Sequence, residues 1–323
     1  MAIFQTLSPL IDAVQQQLQE SVKSEFPASL KEPILYFLEA PGKKIRPLLT
    51  LLSCQAVGGE LEQAMPAALG VELFHDFTLI HDDIMDKDDL RRGRFTVHKK
   101  WGEDAAILVG DLLIGLAYQK MLQCEARYLP RALNLFNEAL IKVCEGQALD
   151  KEFEGREQVS LAEYLDMINK KTAWLFKLSS QLGAILGGAG SSEIAAMENF
   201  GNSLGIGFQI QDDWLDYAGE ETSLGKKVGS DLKLNKKTYV TLKYQEVIAE
   251  SSAAAKKYPP RLSDYHSLVE LREVLYELGI ADQIQNLIDY YIQDALDSLE
   301  KVQTLTDTNQ LFQLVTALRH RQS

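Results

Sequence analysis

The chain has 323 residues, of which 46% are hydrophobic and 24% charged, an ordinary globular composition with ample material for a core. Its formal charge of −13 argues against nucleic acid or an anionic membrane as the main partner, while leaving room for local basic clusters that hold phosphate. No apolar run reaches the roughly eighteen residues of a transmembrane helix, so no integral membrane segment is expected.

The opening "MAIFQTLSPLIDAVQQQLQE" lacks the basic and apolar regions of a signal peptide, and its spacing predicts a helix with Ser8 as N-cap and Pro9 at the first position. "KEPILYFLEA", "RPLLTLLSCQAVGG" and "LEQAMPAALGVELFHDFTLIHDDIMD" then repeat apolar residues at three and four. "AAILVGDLLIGLAY" is apolar on more than one face, which predicts a helix inside a large bundle. Helical patterns continue through "PRALNLFNEALIKVCEGQALDKEF", "LAEYLDMINKKTAWLFKLSSQLGAIL" and "SSEIAAMENFGNSLGIGFQIQDDWLDYAG". In the last of these, Gly201 and Gly205 are four apart, so another helix is expected to approach closely there. Residues 219–240, rich in Gly and Lys, read as a mobile functional loop, and three more helices are expected near 264–278, 280–302 and 308–320. Strand patterns are nearly absent, and no linker or repeat divides the chain, so one all-α domain over 1–323 is predicted. Cys54, Cys124 and Cys144 lie apart without metal-type spacing, which points to thiols in a reducing, cytoplasmic compartment.

Two acidic motifs stand out. Asp82, Asp83 and Asp86 form D-D-x-x-D at the end of one helical pattern, and Asp212, Asp213 and Asp216 repeat it in the other half of the chain. The first and last aspartates of each motif share a helix face. A lone motif of this kind reads as a solvated acidic helix end. Two of them, each following a strongly apolar stretch, would repel at a shared site unless cations lay between them. Oxygen-only ligands select Mg²⁺ or Mn²⁺, and Mg²⁺ commonly bridges carboxylates to substrate phosphates. Phosphate-binding groups are close by in sequence: Lys43 and Arg46, Arg91 and Arg92, Lys170 and Lys171, and Lys226, Lys233 and Lys236. Lys44, Lys227 and Lys237 are read as solvated surface residues.

With these residues the chain resembles the trans-isoprenyl diphosphate synthases, or polyprenyl synthetases. The resemblance rests on "GKKIRP", "ELFHDFTLIHDDIMDKDDLRRG", "TVHKKWGEDAAILVGD", "EGQALD", "KKTAWLF", "GFQIQDDWLD" and "GKKVGSDLKLNK", in the family's order. It implies the isoprenoid synthase fold, a helical bundle around a deep central cavity, and a homodimer. It also implies three Mg²⁺ ions, with Mn²⁺ as a substitute, held by Asp82, Asp83, Asp86, Asp212, Asp213 and Asp216. Arg91, Lys171 and Lys226 match contacts to an allylic diphosphate. Lys43, Arg46, His75 and Arg92 match the pocket for isopentenyl diphosphate. Thr172 and Gln209 match groups facing the developing allylic cation, while Gln147, Asp150, Asp231 and Lys236 match supporting positions. His81 is read as a supporting residue. Asn235 and the pair Tyr239–Val240 depart from the family's usual pattern.

The activity so implied is head-to-tail condensation of isopentenyl diphosphate with dimethylallyl, geranyl or farnesyl diphosphate. Phe77 and Phe74 lie roughly 7.5 and 12 Å down a helix from Asp82. They are read as the floor that limits chain length, although three-apart aromatics are also ordinary core spacing. A bulky residue at Phe77 resembles synthases that stop at short chains, which favours geranylgeranyl (C20) and then farnesyl diphosphate (C15) over longer products. A terpene cyclase is the nearest alternative, but the second complete motif and the arginines at 91 and 92 argue against it. A non-catalytic partner subunit and a plain helical scaffold are less consistent still with two intact motifs.

Overall fold

The computed structural model describes residues 2–22, 24–218, 236–265, 267–302 and 309–321. In chain order the helices are α1 (Ala2–Thr6), α2 (Ser8–Glu20), α3 (Ala28–Leu38), α4 (Ile45–Ala56), α5 (Leu61–Asp86), α6 (Val97–Trp101), α7 (Glu103–Met121) and α8 (Leu129–Gly155). They continue with α9 (Leu161–Ile168), α10 (Trp174–Leu186), α11 (Ser191–Ala218), α12 (Tyr239–Glu250), α13 (Ser252–Lys257), α14 (Leu268–Glu277), α15 (Ile280–Glu300) and α16 (Asn309–Arg319). The expected all-α class is the class adopted. Among the described residues the sole sheet is a two-residue hairpin, β1 (Leu90–Arg91) and β2 (Arg94–Phe95), turned by Arg92 and Gly93 at φ 52° and 74°. Positive φ at both turn positions matches the twist of tight hairpins.

The packing centre is α10, which touches α4, α5, α8 and α11. Every residue of α10 except Lys177 is buried. Two apolar clusters meet across it: Trp174, Leu175, Leu178 and Leu182 join one, and Phe176, Ala184 and Ile185 the other. Its buried hydroxyls are satisfied, since Ser179 donates to the Leu175 carbonyl at 2.6 Å and Ser180 to the Met197 carbonyl at 2.7 Å. Small residues allow the close crossings. A Cβ on Gly183 would collide with the Thr50 carbonyl of α4, and one on Gly201 or Gly205 would collide with Ser180 or Ala173. The helix approach expected at Gly201 and Gly205 is therefore made by α10 and the turn before it.

Two local expectations are corrected. Ser8 opens α2 rather than capping it: Leu7 is the N-cap, and Ser8 Oγ donates instead to Asp12 at 3.3 Å. Helix α7 is not internal, because Ile107 and Leu108 are 44% and 56% exposed while Ala106, Val109 and Leu113 are buried. An all-round apolar helix lacks water on every side only where neighbouring elements cover every face. Among the described residues α10 is covered in this way on all but Lys177.

Two long helices deliver the acidic motifs to one place. The 26-residue α5 starts on a reciprocal capping box between Glu60 and Gln63 and ends at Lys87, left-handed at φ 55°. Asp82 and Asp86 thus occupy its last turns, and Asp212 and Asp216 those of α11. Gly201→Ala should cost about 1–3 kcal/mol by overpacking the α10 crossing. Thermal unfolding would then show a lower midpoint, and an unchanged midpoint would mean that the helices part without strain.

Candidate active site

A cavity of about 1000 Å³ opens between these helix ends. Its walls come from α5, α8, the turn before α10, α11 and residues 41–46. Asp82 and Asp86 line it, one helical turn apart. Asp83, between them, lies back: Arg91 Nε and Nη2 both meet its Oδ1 at 2.7 Å, and its Oδ2 is buried without a partner. Burial pushes the Asp83 carboxyl up to about 6, with Arg91 acting against it. The first motif therefore divides into two cavity carboxylates and one that anchors the β-hairpin.

Lysines neutralise the cavity carboxylates. Lys151 and Lys236 reach Asp86 at 2.8 and 3.4 Å, and Lys171 lies 3.9 Å from Asp82 and 2.5 Å from Asp150. Burial raises Asp82 above the usual carboxylate range, with Lys171 pulling the other way. At Asp86 burial is outweighed by Lys236 and Lys151, and its pKa is lowered. Burial opposes the charge on Lys171 too, but Asp82 and Asp150 outweigh it and hold the ammonium protonated.

Lys171 and Thr172 project from a π-helical turn, Asn169–Ala173, between α9 and α10. Such turns re-aim side chains inside otherwise regular helices. Gly146 of α8 makes room for this one, since a Cβ there would strike the Lys171 backbone. From this turn Thr172 Oγ1 donates to Gln209 Oε1 at 2.8 Å, and Gln209 Nε2 donates to Asp213 Oδ1 at 2.9 Å. Asp213 Oδ2 also accepts from the Tyr164 hydroxyl and, at 3.1 Å, from the Tyr239 backbone N–H. Asp213 is thus the buried anchor of a hydrogen-bonded chain. Its neighbour Asp212 stands exposed in the cavity and carries Arg321 Nη2 at 3.1 Å. Asp216 is half-buried, one turn beyond Asp212, outside the described cavity lining.

The basic wall holds Lys43, Arg46, His75 and Arg92. Burial, then Arg46 and its neighbours, keep the His75 pKa well below the usual value, so His75 is neutral and its Nε2 accepts from Arg46 Nη1 at 3.1 Å. Burial lowers Arg46 to about 10, which leaves it charged at neutral pH. Arg92 Nη1 donates to the Pro41 carbonyl at 2.9 Å. Lys44 is not the solvated residue expected: it is buried and paired with Glu72 at 3.0 Å. Lys237 is half-buried and lines the cavity. Gln147 lines it too, with Nε2 on Met85 Sδ at 3.8 Å.

Phe77 lines the cavity, whereas Phe74 lies behind it in the core, 5.2 Å from the Phe136 ring. His81 supports Phe77 edge-on at 4.8 Å and packs over Gly110 of α7. Lys226 and Asp231 fall outside the described residues, as does residue 235. Sequence reasoning missed Lys151, Tyr164, Glu72 and Arg321. Lys151 adjoins "EGQALD" and could have been found there. Nothing in the order of residues links Tyr164 or Arg321 to the second motif.

The polyprenyl synthetase family model matches residues 27–269. The chain belongs to this family. A short chain isoprenyl diphosphate synthase of Methanothermobacter thermautotrophicus is 43% identical over 251 residues, 77% of each chain. A geranylgeranyl diphosphate synthase of Sulfolobus acidocaldarius is 37% identical over 305 residues, 92% of each chain. The crystal structure of geranylgeranyl pyrophosphate synthetase from Pyrococcus horikoshii superposes with a TM-score of 0.90 at 32% identity, covering 99% of this chain and 98% of that one. As a polyprenyl synthetase the chain is a prenyltransferase, and the cyclase and scaffold readings give way to that assignment.

The donor set suits a hard divalent cation. Asp82, Asp86 and Asp212 offer carboxylate oxygens to the cavity. Among the described residues no three Asp, Glu, His or Cys side chains converge to enclose an ion. A cation held here would complete its shell with water and ligand oxygens, the habit of Mg²⁺. At Asp212 it would meet the Arg321 guanidinium. Arg321→Gln should therefore strengthen Mn²⁺ binding in the absence of substrate. Titration of free Mn²⁺ by electron paramagnetic resonance would show it, and unchanged or weaker binding would mean that guanidinium and ion do not compete.

Proposed function

We propose that this polyprenyl synthetase condenses isopentenyl diphosphate head to tail with dimethylallyl, geranyl or farnesyl diphosphate. The product is a short all-trans prenyl diphosphate, geranylgeranyl (C20) first and farnesyl (C15) second, and the cofactor is Mg²⁺, three ions in all, replaceable by Mn²⁺. One observation carries the reading: a single cavity joins the acidic pairs, a separate basic wall and an apolar side formed by Phe77, Met85, Val143 and Leu175. Anionic, cationic and apolar walls in one cavity suit two diphosphates with hydrocarbon tails. The geranylgeranyl names of the relatives support the same product class.

Bound Mg²⁺ would neutralise the allylic diphosphate and make it a leaving group. Asp82, Asp86 and Asp212 would hold the ions, with Asp83 and Asp213 fixing the surrounding structure. Lys171 and Lys236 border the same carboxylates and would bind the phosphate oxygens. When the C1–O bond breaks, positive charge develops on the allyl group. The Asp213–Gln209–Thr172 chain fixes the Gln209 and Thr172 oxygens beside the cavity, a polarity that favours that charge. The isopentenyl alkene then bonds to C1, and a proton leaves C2 to the departing diphosphate. Lys43, Arg46 and Arg92, with neutral His75, would orient the isopentenyl diphosphate. No protein base is required. Both motifs are intact, which disfavours a non-catalytic subunit. A homodimer would cover Ile107, Leu108 and Ile141, which are exposed on α7 and α8.

Incubation with Mg²⁺, labelled isopentenyl diphosphate and each primer in turn, read by chromatography, tests the proposal. A dominant C20 or C15 product is expected. Absence of condensation with any primer by folded protein would sink the synthase reading, and a C30 product would remove Phe77 as the floor. Phe77→Ala should lengthen the product with turnover retained. An unchanged length distribution would show that another residue limits the chain.

A further inference from the structure

Residues 41–46 bring Lys43, Lys44 and Arg46 to the cavity wall, and Lys44 is buried there. Its backbone is left-handed at φ 48°, a conformation a residue other than glycine keeps only when its surroundings impose it. From this backbone its ammonium makes a 3.0 Å ion pair with Glu72, and the two side chains are 3% and 5% exposed. Arg92, also left-handed at φ 52°, pins the same segment from outside through the Pro41 carbonyl.

Glu72 lies one turn before Asp76 on α5, and both are buried. Arg46 is within electrostatic reach of both carboxylates. It is held through Nη1 by His75, while its Nε is buried without a hydrogen-bond partner. A buried carboxylate that loses its cation seeks another or protonates. Were Lys44 absent, Glu72 would have a second guanidinium to draw on, with a bare N–H to offer it.

We propose that Lys44 is a positioning residue: by neutralising Glu72 it prevents that carboxylate from capturing Arg46, and so keeps the Arg46 guanidinium directed to a diphosphate in the cavity. The proposal rests on Arg46 serving the isopentenyl diphosphate subsite, and adds a residue whose own ammonium is committed to Glu72. Arg46 acts on the substrate, and Lys44 acts through Arg46.

Steady-state kinetics with each substrate varied in turn tests it. Lys44→Met should raise KM for isopentenyl diphosphate by about tenfold to a hundredfold, the scale of one charge-assisted hydrogen bond, and leave KM for the allylic substrate near wild type. The double variant Lys44→Met with Glu72→Gln should recover most of that loss, because a neutral amide does not draw Arg46 away. Should Lys44→Met fail to fold by circular dichroism, Lys44→Gln keeps a donor for Glu72 and should show a smaller rise, again relieved by Glu72→Gln. Arg46→Gln separates the two levels of inference. If it raises the same KM while Glu72→Gln gives no relief, the positioning role is overturned and the subsite stands. If Arg46→Gln leaves that KM unchanged, the subsite reading fails and the proposal fails with it.

Discussion

Asp82, Asp86, Asp150, Asp212 and Asp213 face or border one cavity, and their mutual repulsion is the constraint around which the surrounding structure is arranged. Like charges about 4 Å apart near a protein surface repel by roughly 4 kcal/mol, a large fraction of a domain's net stability. Each of these carboxylates is accordingly given a donor or a cation. Lys151 and Lys236 serve Asp86, Lys171 serves Asp82 and Asp150, Arg321 serves Asp212, and Tyr164, Gln209 and Tyr239 serve Asp213. The lysines and Arg321 hold their carboxylates through long side chains that can turn to other anions. Tyr164 and the Tyr239 amide are fixed in the core. The carboxylates are thus compensated by the chain's own groups, among them cations on movable side chains.

Placing those groups requires helices that come close and then stop abruptly. Gly183, Gly201 and Gly205 let α4, α10 and α11 cross at backbone contact, and Gly146 admits the π turn that carries Lys171 and Thr172. A regular α-helical turn at 169–173 would rotate the side chains that follow it. The same economy of space appears in two of the left-handed residues, Lys44 and Arg92, which hold residues 41–46 between α5 and the hairpin. Local strain at each is offset by a buried ion pair or a hydrogen bond.

The apolar part of the wall follows a different rule. Phe77 meets the cavity, Phe74 meets the core, and His81 is wedged between Phe77 and Gly110. Residues about two turns apart on one helix therefore divide between the cavity wall, Phe77 and His81, and the core, Phe74. Their common sequence neighbourhood says only that they lie on α5, because the side that counts as inside depends on where α7 and α8 lie.

The amino-acid order alone determined the all-α class, the helix boundaries near the C-terminus, the close approach at Gly201 and Gly205, and the pairing of acidic with basic motifs. These follow from periodicity, from small residues at helical spacing and from charge type, all of which are local. The tertiary structure decided the rest. It turned Asp83 away from the cavity onto Arg91, and it tied Asp213, at the cavity border, to Tyr164, Gln209 and the Tyr239 amide. It buried Lys44, which by composition is a surface residue, because Glu72 lies opposite it. It put water on one face of α7 and removed it from nearly all of α10. It brought Arg321 from the chain's end to Asp212 and Tyr164 to Asp213. Each of these outcomes depends on a partner distant in sequence, and a side chain's burial, charge partner and orientation are properties of the pair rather than of the residue.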